Sequence, residues 1–431
     1  MSLTRREILG GGLAAFAGSL APAVKGSAAA EPSPYFGLHQ FIERNPKAVF
    51  IRRTRVTHKM DENAKRQEGL RLAESIFVPR SEPGVPITHR IVLKPNATSL
   101  APSRRPAVEN WGTGTDPQFY EGLVLGLKQL GLTRFTFVDS TSYATWNLRG
   151  LLDINERLGV ATQDPERRVR HLREGWETNW SKVPEGVVYR RIPHYAPVNG
   201  PDTWLLNIAK WKAHSMGLTL TVKNEQGLVA HPFTNFCSGM RAVLNVGDDW
   251  KPEINPRAEQ LINDGLDRHR KLGYSRYDTA GSRGNGAFLR PIEQEIWAQK
   301  TCDNMSVLKT GLAMIEGIYG RDGDGFNVGT DYLTNLVLFG KDKFRVDLIG
   351  LWLGGHDPGN VHLYRIAKER GLSDTFNPWE IPVHEWTDAG PVARKLTDFQ
   401  RTPLRTVYLP RDGEPDLHLL DEPFDYDRHK V

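Results

Sequence analysis

Arg90-Ile91-Val92-Leu93-Lys94-Pro95 reads as a short β-strand stopped by a proline, and the helix and second strand after it decide the fold. From Pro117 to Leu130 the apolar residues Phe119, Leu123, Leu127 and Leu130 recur at helical spacing, and Gly131 stands where a helix C-terminus favours glycine. A second strand, Arg134-Phe135-Thr136-Phe137-Val138, ends at Asp139. Strand, helix and strand at this spacing form a βαβ unit, whose strands run parallel through a right-handed crossover. Lys94 and Asp139 therefore emerge at the same, carboxyl edge of the sheet, with backbones about 5 Å apart if the strands are neighbours. Open α/β sheets bind ligands at that edge.

Further strands are expected at Val187 to Ile192, Thr203 to Ala209, Leu218 to Val222, Val307 to Ile315 and Leu336 to Phe339. Helical patterns cover Asp61 to Ser75, Pro256 to Leu272, Ile292 to Lys300, Lys343 to Leu353 and Asn360 to Arg370. Alternation of the two implies an α/β class: a mixed or mostly parallel sheet with flanking helices, in two closely packed lobes. The core is expected over 85–375, after an N-terminal elaboration at 31–84. A Pro-rich extension at 376–431 reads as irregular apart from a strand at Thr406 to Leu409.

Residues 1–30 read as an export signal. Arg5-Arg6 precede a Gly- and Ala-rich apolar run from Ile8 to Ala23, and Ala28-Ala29-Ala30 offers small residues for cleavage. The run is too short for the roughly 20 residues of a spanning helix, so no permanent membrane anchor is expected. The implied partner is the twin-arginine translocase, and the implied location is periplasmic or extracellular. With 25% charged and 39% hydrophobic residues the chain is of ordinary globular composition. Its net charge of +5 falls by two once Arg5, Arg6, Lys25 and Glu7 leave with the signal. That excess is too small and too scattered for a nucleic-acid face; the densest basic run, Arg167-Arg168-Val169-Arg170, reads as a solvated helix face. Cys237 and Cys302 are the only cysteines, whereas an iron–sulfur cluster on protein thiolates takes about four, so the chain alone supplies none. Whether the two form a disulfide or stay as thiols is open.

Chemistry-bearing residues gather in three strand-end segments. The first is Lys94-Pro95-Asn96. The second is Lys210-Trp211-Lys212-Ala213-His214, followed by Lys223-Asn224-Glu225-Gln226-Gly227. The third is Glu316-Gly317 through Asp322-Gly323-Asp324-Gly325, with Val346-Asp347 some way beyond. In this order the motifs resemble the domain-of-unknown-function 362 family over roughly residues 85 to 375. The resemblance implies the α/β core and little about a reaction. Many members carry a four-cysteine iron–sulfur module, which this chain lacks.

Lysines at strand ends can converge on a carboxylate or phosphate, and burial lowers a lysine's pKa toward use as a base or nucleophile. Lys94, Lys212 and Lys223 are the candidates, against a structural role as partners of Asp139 or Glu225. His214 comes two residues after Lys212 and shares its side in an extended segment, where a neutral imidazole can move a proton. His231 is a second, weaker candidate. Asn96, Asp139, Ser140 and Asn224 are expected to contact ligand. Asp322, Asp324 and Asp347 could hold a divalent metal, though the segment does not fit a calcium loop, and Asp347 could equally cap a helix. The phosphate-loop, nucleophile-elbow and dinucleotide fingerprints are absent; Gly281-Ser282-Arg283-Gly284-Asn285-Gly286 reads as a connecting loop. The expectation is an exported enzyme acting on a small anionic substrate; the alternative is a non-catalytic binding or redox-assembly protein using the same cleft.

Overall fold

The computed structural model describes residues 33–81, 84–98, 111–162, 178–214, 217–233, 239–271, 291–323, 325, 329–406 and 423–426. The export signal, the basic run at 167–170, Cys237, the Gly-rich run at 281–286 and Asp324 lie outside these residues.

One ten-stranded sheet organises the chain. Its strands, numbered along the chain, are β1 (Val49–Arg53), β2 (Arg90–Pro95), β3 (Phe135–Phe137), β4 (Ala161–Thr162), β5 (Thr203–His214), β6 (Gly217–Thr219), β7 (Thr310–Arg321), β8 (Asp331–Gly340), β9 (Val383–Thr387) and β10 (Gly390–Arg394). Across the sheet the order is β10-β9-β1-β8-β7-β5-β2-β3-β4, with β6 folded back against the end of β5. The run from β7 through β5, β2 and β3 to β4 is parallel, while β8 is antiparallel to both its neighbours. The sheet is thus mixed, and the fold is α/β.

The βαβ reading holds in detail. Helix α2 (Pro117–Gln129) joins β2 to its parallel neighbour β3; Asp116 caps its start by accepting from Gln118 and Phe119, with Pro117 in the first turn. Packed beside it is α1 (Glu62–Ile76). Leu72, Ile76, Phe119, Leu123 and Leu127 from these two helices cover one sheet face, meeting Leu93, Phe137, Leu206, Ile208 and Met314. On the other face α5 (Pro291–Met305), α6 (Lys343–Leu353) and α7 (His362–Glu369) bring Cys302, Ile349 and Ile366 against Val92, Ala209, Trp211 and Ile315. Leu206 and Ile208 point one way and Ala209 and Trp211 the other, so β5 is buried on both faces, as central strands of such sheets are. A smaller lobe gathers Val188, Tyr189, Ile192, Phe233, Ile262 and Ile296 beneath the two-stranded sheet Thr178–Lys182/Arg191–Tyr195.

Several expectations need correction. The N-terminal segment is not merely wrapped on the core, because β1 is a sheet strand between β8 and β9. Nor is the tail irregular throughout its described residues: Val383–Thr387 and Gly390–Arg394 form a hairpin at the sheet edge, while Thr406 is not in a strand and the rest of its expected strand lies outside the described residues. The strand expected over Leu218 to Val222 is cut short, because Asp347 captures the amides of Thr221 and Val222 and starts a one-turn helix, α4 (Thr221–Asn224). That expected over Val187 to Ile192 begins only at Arg191, since the Asp303 carboxylate takes the amides of Val187, Val188 and Tyr189.

Candidate functional site

At the carboxyl edge of β2 the Lys94 amine is 1% exposed and donates three hydrogen bonds: to Asp139 Oδ2 at 2.6 Å, to the Pro95 carbonyl at 2.8 Å and to Asn224 Oδ1 at 3.0 Å. An ammonium has three N–H groups, so all are committed within the protein. Burial pulls the Lys94 pKa below its ordinary value, opposed by the attraction of Asp139 and then of Glu225. Asp139 uses its other oxygen to accept from the amide and hydroxyl of Thr141. The glycine of the second segment has a steric cause. A methyl group at Gly227 would stand 2.8 Å from Lys94 Cε and 3.1 Å from Nζ, closer than a packed neighbour tolerates.

Asn224 is the junction. Besides Lys94, its oxygen accepts from Asn96 Nδ2 at 3.2 Å, and its amide donates to the Lys94 carbonyl at 3.0 Å and to Asn207 Oδ1 at 2.8 Å. Asn207 and Lys94 are register partners on β5 and β2, and Asn207 donates onward to Glu225 Oε1 at 2.9 Å. Glu225 is paired with Lys343 at 2.9 Å rather than with a lysine of the motifs. From Asn96 the chain of bonds continues outward. Thr98 donates to Asn96 Oδ1 at 2.6 Å, and Lys212 Nζ donates to Thr98 Oγ1 at 3.0 Å and to the Gly325 carbonyl at 3.1 Å. Asp139, Lys94, Asn224, Asn96, Thr98 and Lys212 thus form one unbroken line of hydrogen bonds across segments distant in the chain.

His214 lies two residues beyond Lys212 on the same side of β5, as the period of an extended strand requires. It is buried, and burial, Lys223 and Lys212 in that order hold its pKa well below the usual imidazole value. These causes favour the neutral ring. Lys223, half-buried on α4, joins the group through this electrostatic coupling to His214 and to Lys94. Ser140 is buried, and its backbone lies beside His231. Burial and the nearby Lys300 bring that histidine's pKa down to about 4.

Asp347 and Asp322 are bonded within the protein, and Asp324 lies outside the described residues. Asp347 accepts from the Thr221 amide at 2.7 Å, the Thr221 hydroxyl at 2.6 Å, the Val222 amide at 3.0 Å and Tyr364 at 3.1 Å. It caps α4, not its own helix, where Asp342 holds the cap. Asp322 accepts from the Thr330 amide at 2.5 Å and from Tyr332 at 2.9 Å, tying the turn between β7 and β8. Among the described residues no group of three or more His, Cys, Asp or Glu side chains is placed to hold a metal.

Two participants escaped the sequence reading. Asn207 had a signal, an amide inside the apolar run Thr203-Trp204-Leu205-Leu206-Asn207-Ile208-Ala209. Arg149 had none. It comes directly after a short helix, α3 (Tyr143–Leu148), yet its guanidinium is buried, with Nε and Nη2 donating to the Thr98 carbonyl at 2.9 and 2.6 Å and Nη2 to Thr113 Oγ1 at 3.1 Å. Behind the Gln226 side of the second segment a small recess is lined by Tyr189, Val229, Phe233, Lys300 and Asn304, apart from the lysine-bearing line.

Among the described residues no helix is long and apolar enough to cross a membrane. No curated protein and no solved structure matches the chain. The family model described as "Domain of unknown function (DUF362)" matches residues 91–352, from the first residues of β2 to the end of α6. That span holds Lys94, Asn96, Asp139, Arg149, Lys212, His214, Lys223 and Asn224, and the chain belongs to the DUF362 family.

Proposed function

We propose that this chain is an exported enzyme that holds a small anionic substrate at the carboxyl edge of β2 and β5 and moves a proton through His214. The observation that carries the reading is the hydrogen-bonded line from Asp139 to Lys212, which brings cationic side chains of separate segments to one sheet edge beside a neutral imidazole. A neutral imidazole can accept a proton, and cations beside it stabilise the negative charge left on the substrate. Lys94, with its donors committed, positions Asp139 and Asn224. Lys212 and Lys223 supply the field.

The test uses the mature chain in D2O with a panel of small carboxylates and phosphate esters, read by mass spectrometry. Deuterium entering one panel member, and lost with His214→Gln, is the expected result. Saturable binding without exchange moves the protein to the non-catalytic alternative, and no binding at all overturns both readings. Export is tested separately: replacing Arg5 and Arg6 by lysine traps the precursor in the cytoplasm if the twin-arginine route is used, and unchanged export refutes it.

A further inference from the structure

We propose that Arg149 is the anchor that binds the ligand's oxyanion, a carboxylate or phosphate oxygen, through Nη1; the inference rests on the anion-site reading above and names the contact that selects its ligand.

The argument is a donor count. A guanidinium has five N–H groups and cannot shed its charge at ordinary pH. In Arg149 the three on Nε and Nη2 go to the Thr98 carbonyl and the Thr113 hydroxyl, both neutral. The two on Nη1 have no acceptor among the described residues, and no described carboxylate is in ion-pair contact with this side chain. Lys65, Lys94, Lys210 and Arg321, buried to a similar degree, each hold a carboxylate at 2.6 to 2.8 Å. A buried charge without a counter-ion is costly, so folds that keep one have a use for it.

Position agrees with that use. The Thr98 carbonyl that fixes the guanidinium belongs to the residue whose hydroxyl accepts from Lys212 and donates to Asn96. Burial lowers the Arg149 pKa to about 10, and the nearby Asp139 opposes that shift. The residue is 7% exposed, and Nη1 is not among the fully buried atoms left without a partner. Gly114 keeps the approach open, because a methyl group there would stand 2.6 Å from Nη1. Bonds on Nε and Nη2 fix the plane of the fork, so Nη1 offers its hydrogens in set directions, which a lysine cannot reproduce.

The experiment titrates the full chain with inorganic phosphate and, separately, with succinate, at constant ionic strength against chloride, reading heat and melting temperature. The parent is expected to bind one of them saturably and to melt higher in its presence; which one binds distinguishes a phosphate ligand from a carboxylate. Arg149→Lys should weaken that binding about tenfold or more, as loss of a charge-assisted contact does, and Arg149→Met should abolish the melting shift. Should Arg149→Met fail to fold, Gly114→Ala, which lays a methyl on Nη1, is expected to weaken binding in its place. Parent binding that persists unchanged in Arg149→Lys and Gly114→Ala overturns the role of Arg149 alone. Absence of saturable binding in the parent overturns the anion site itself.

Discussion

Lys94 and Asp139 offer the sharpest quantitative test, because the pair is buried, short and made by the two strands whose shared edge the sequence predicts. Removing one member of a buried ion pair costs about 3–5 kcal/mol, since the survivor stays out of water with its charge uncompensated. Against a total stability of about 5–15 kcal/mol for a folded protein, that is a large fraction. Lys94→Met should sit at the upper end. It strands Asp139, removes the donor to the Pro95 carbonyl and leaves Asn224 Oδ1 with only the Asn96 amide. Asp139→Asn should cost less, because an amide oxygen can still accept from Thr141, and the Lys94 amine keeps two acceptors. In the double variant no uncompensated charge remains, so its loss should fall short of the sum of the two single losses by about 2 kcal/mol or more. The assay is urea unfolding of all four proteins at pH 7, accepting midpoints only where the slopes agree. Losses that simply add, to within about 0.5 kcal/mol, would mean that the two groups act independently and that the pair is not the clamp described.

Gly227→Ala should be destabilising, although the same change at an unencumbered site gains about 0.4–1 kcal/mol, because its methyl meets a Lys94 side chain held by three bonds; a rise in melting temperature would contradict that packing. Burial raises the Asp347 carboxyl from 3.8 to about 7, against the opposing bonds from Thr221 and Val222. The stabilisation from its bound proton is therefore complete at acid pH and lost as pH rises through about 7, so Asp347→Asn should gain on the parent between pH 4 and 8 by up to about 4 kcal/mol. A flat difference across that range refutes the assignment. His194, bonded to Asn304 and lowered to about 4 chiefly by burial, has the opposite sign: stability falls as pH drops from about 6.5 toward 4, by up to about 3 kcal/mol, and His194→Gln should flatten the decline in acid unfolding curves.

How much of the molecule the sequence disclosed depends on the range of the interaction. The β2–α2–β3 unit was legible because its periodicities are local, and the meeting of Lys94 with Asp139 comes from parallel strands being adjacent. The shared side of Lys212 and His214 was legible from the two-residue period of a strand. Asp347 was not, since a carboxylate on α6 that caps α4 leaves no mark near its own position. The edge hairpin was hidden by Pro382 and Pro391, which read as breaks although an edge strand has unpaired backbone positions that tolerate proline; Gly390, with φ of 110°, turns the corner. Arg149 was hidden most fully, because nothing beside it in the chain marks a guanidinium that bonds the Thr98 carbonyl and the Thr113 hydroxyl.

The buried charges around β5 are held in two ways. On β5 Lys210 meets Glu316 at 2.7 Å with both side chains fully buried, and Glu316 also accepts from the amides of Asp116 and Ile318. The cation is matched, the acceptor is saturated, and nothing in that cluster calls for a guest. Two residues along the same strand Lys212, equally buried, donates to the Thr98 hydroxyl and the Gly325 carbonyl, and Arg149 rests on the carbonyl of that same Thr98. One short segment serves both clusters: Thr113 and Thr115 hold Arg149 and Asn96, while Asp116 reaches Glu316 and Lys65. The balanced pairs thus brace the segments that carry Lys212 and Arg149. A structural network neutralises its charges where they are buried, whereas the anion site proposed here would need a positive field and the geometry to aim it.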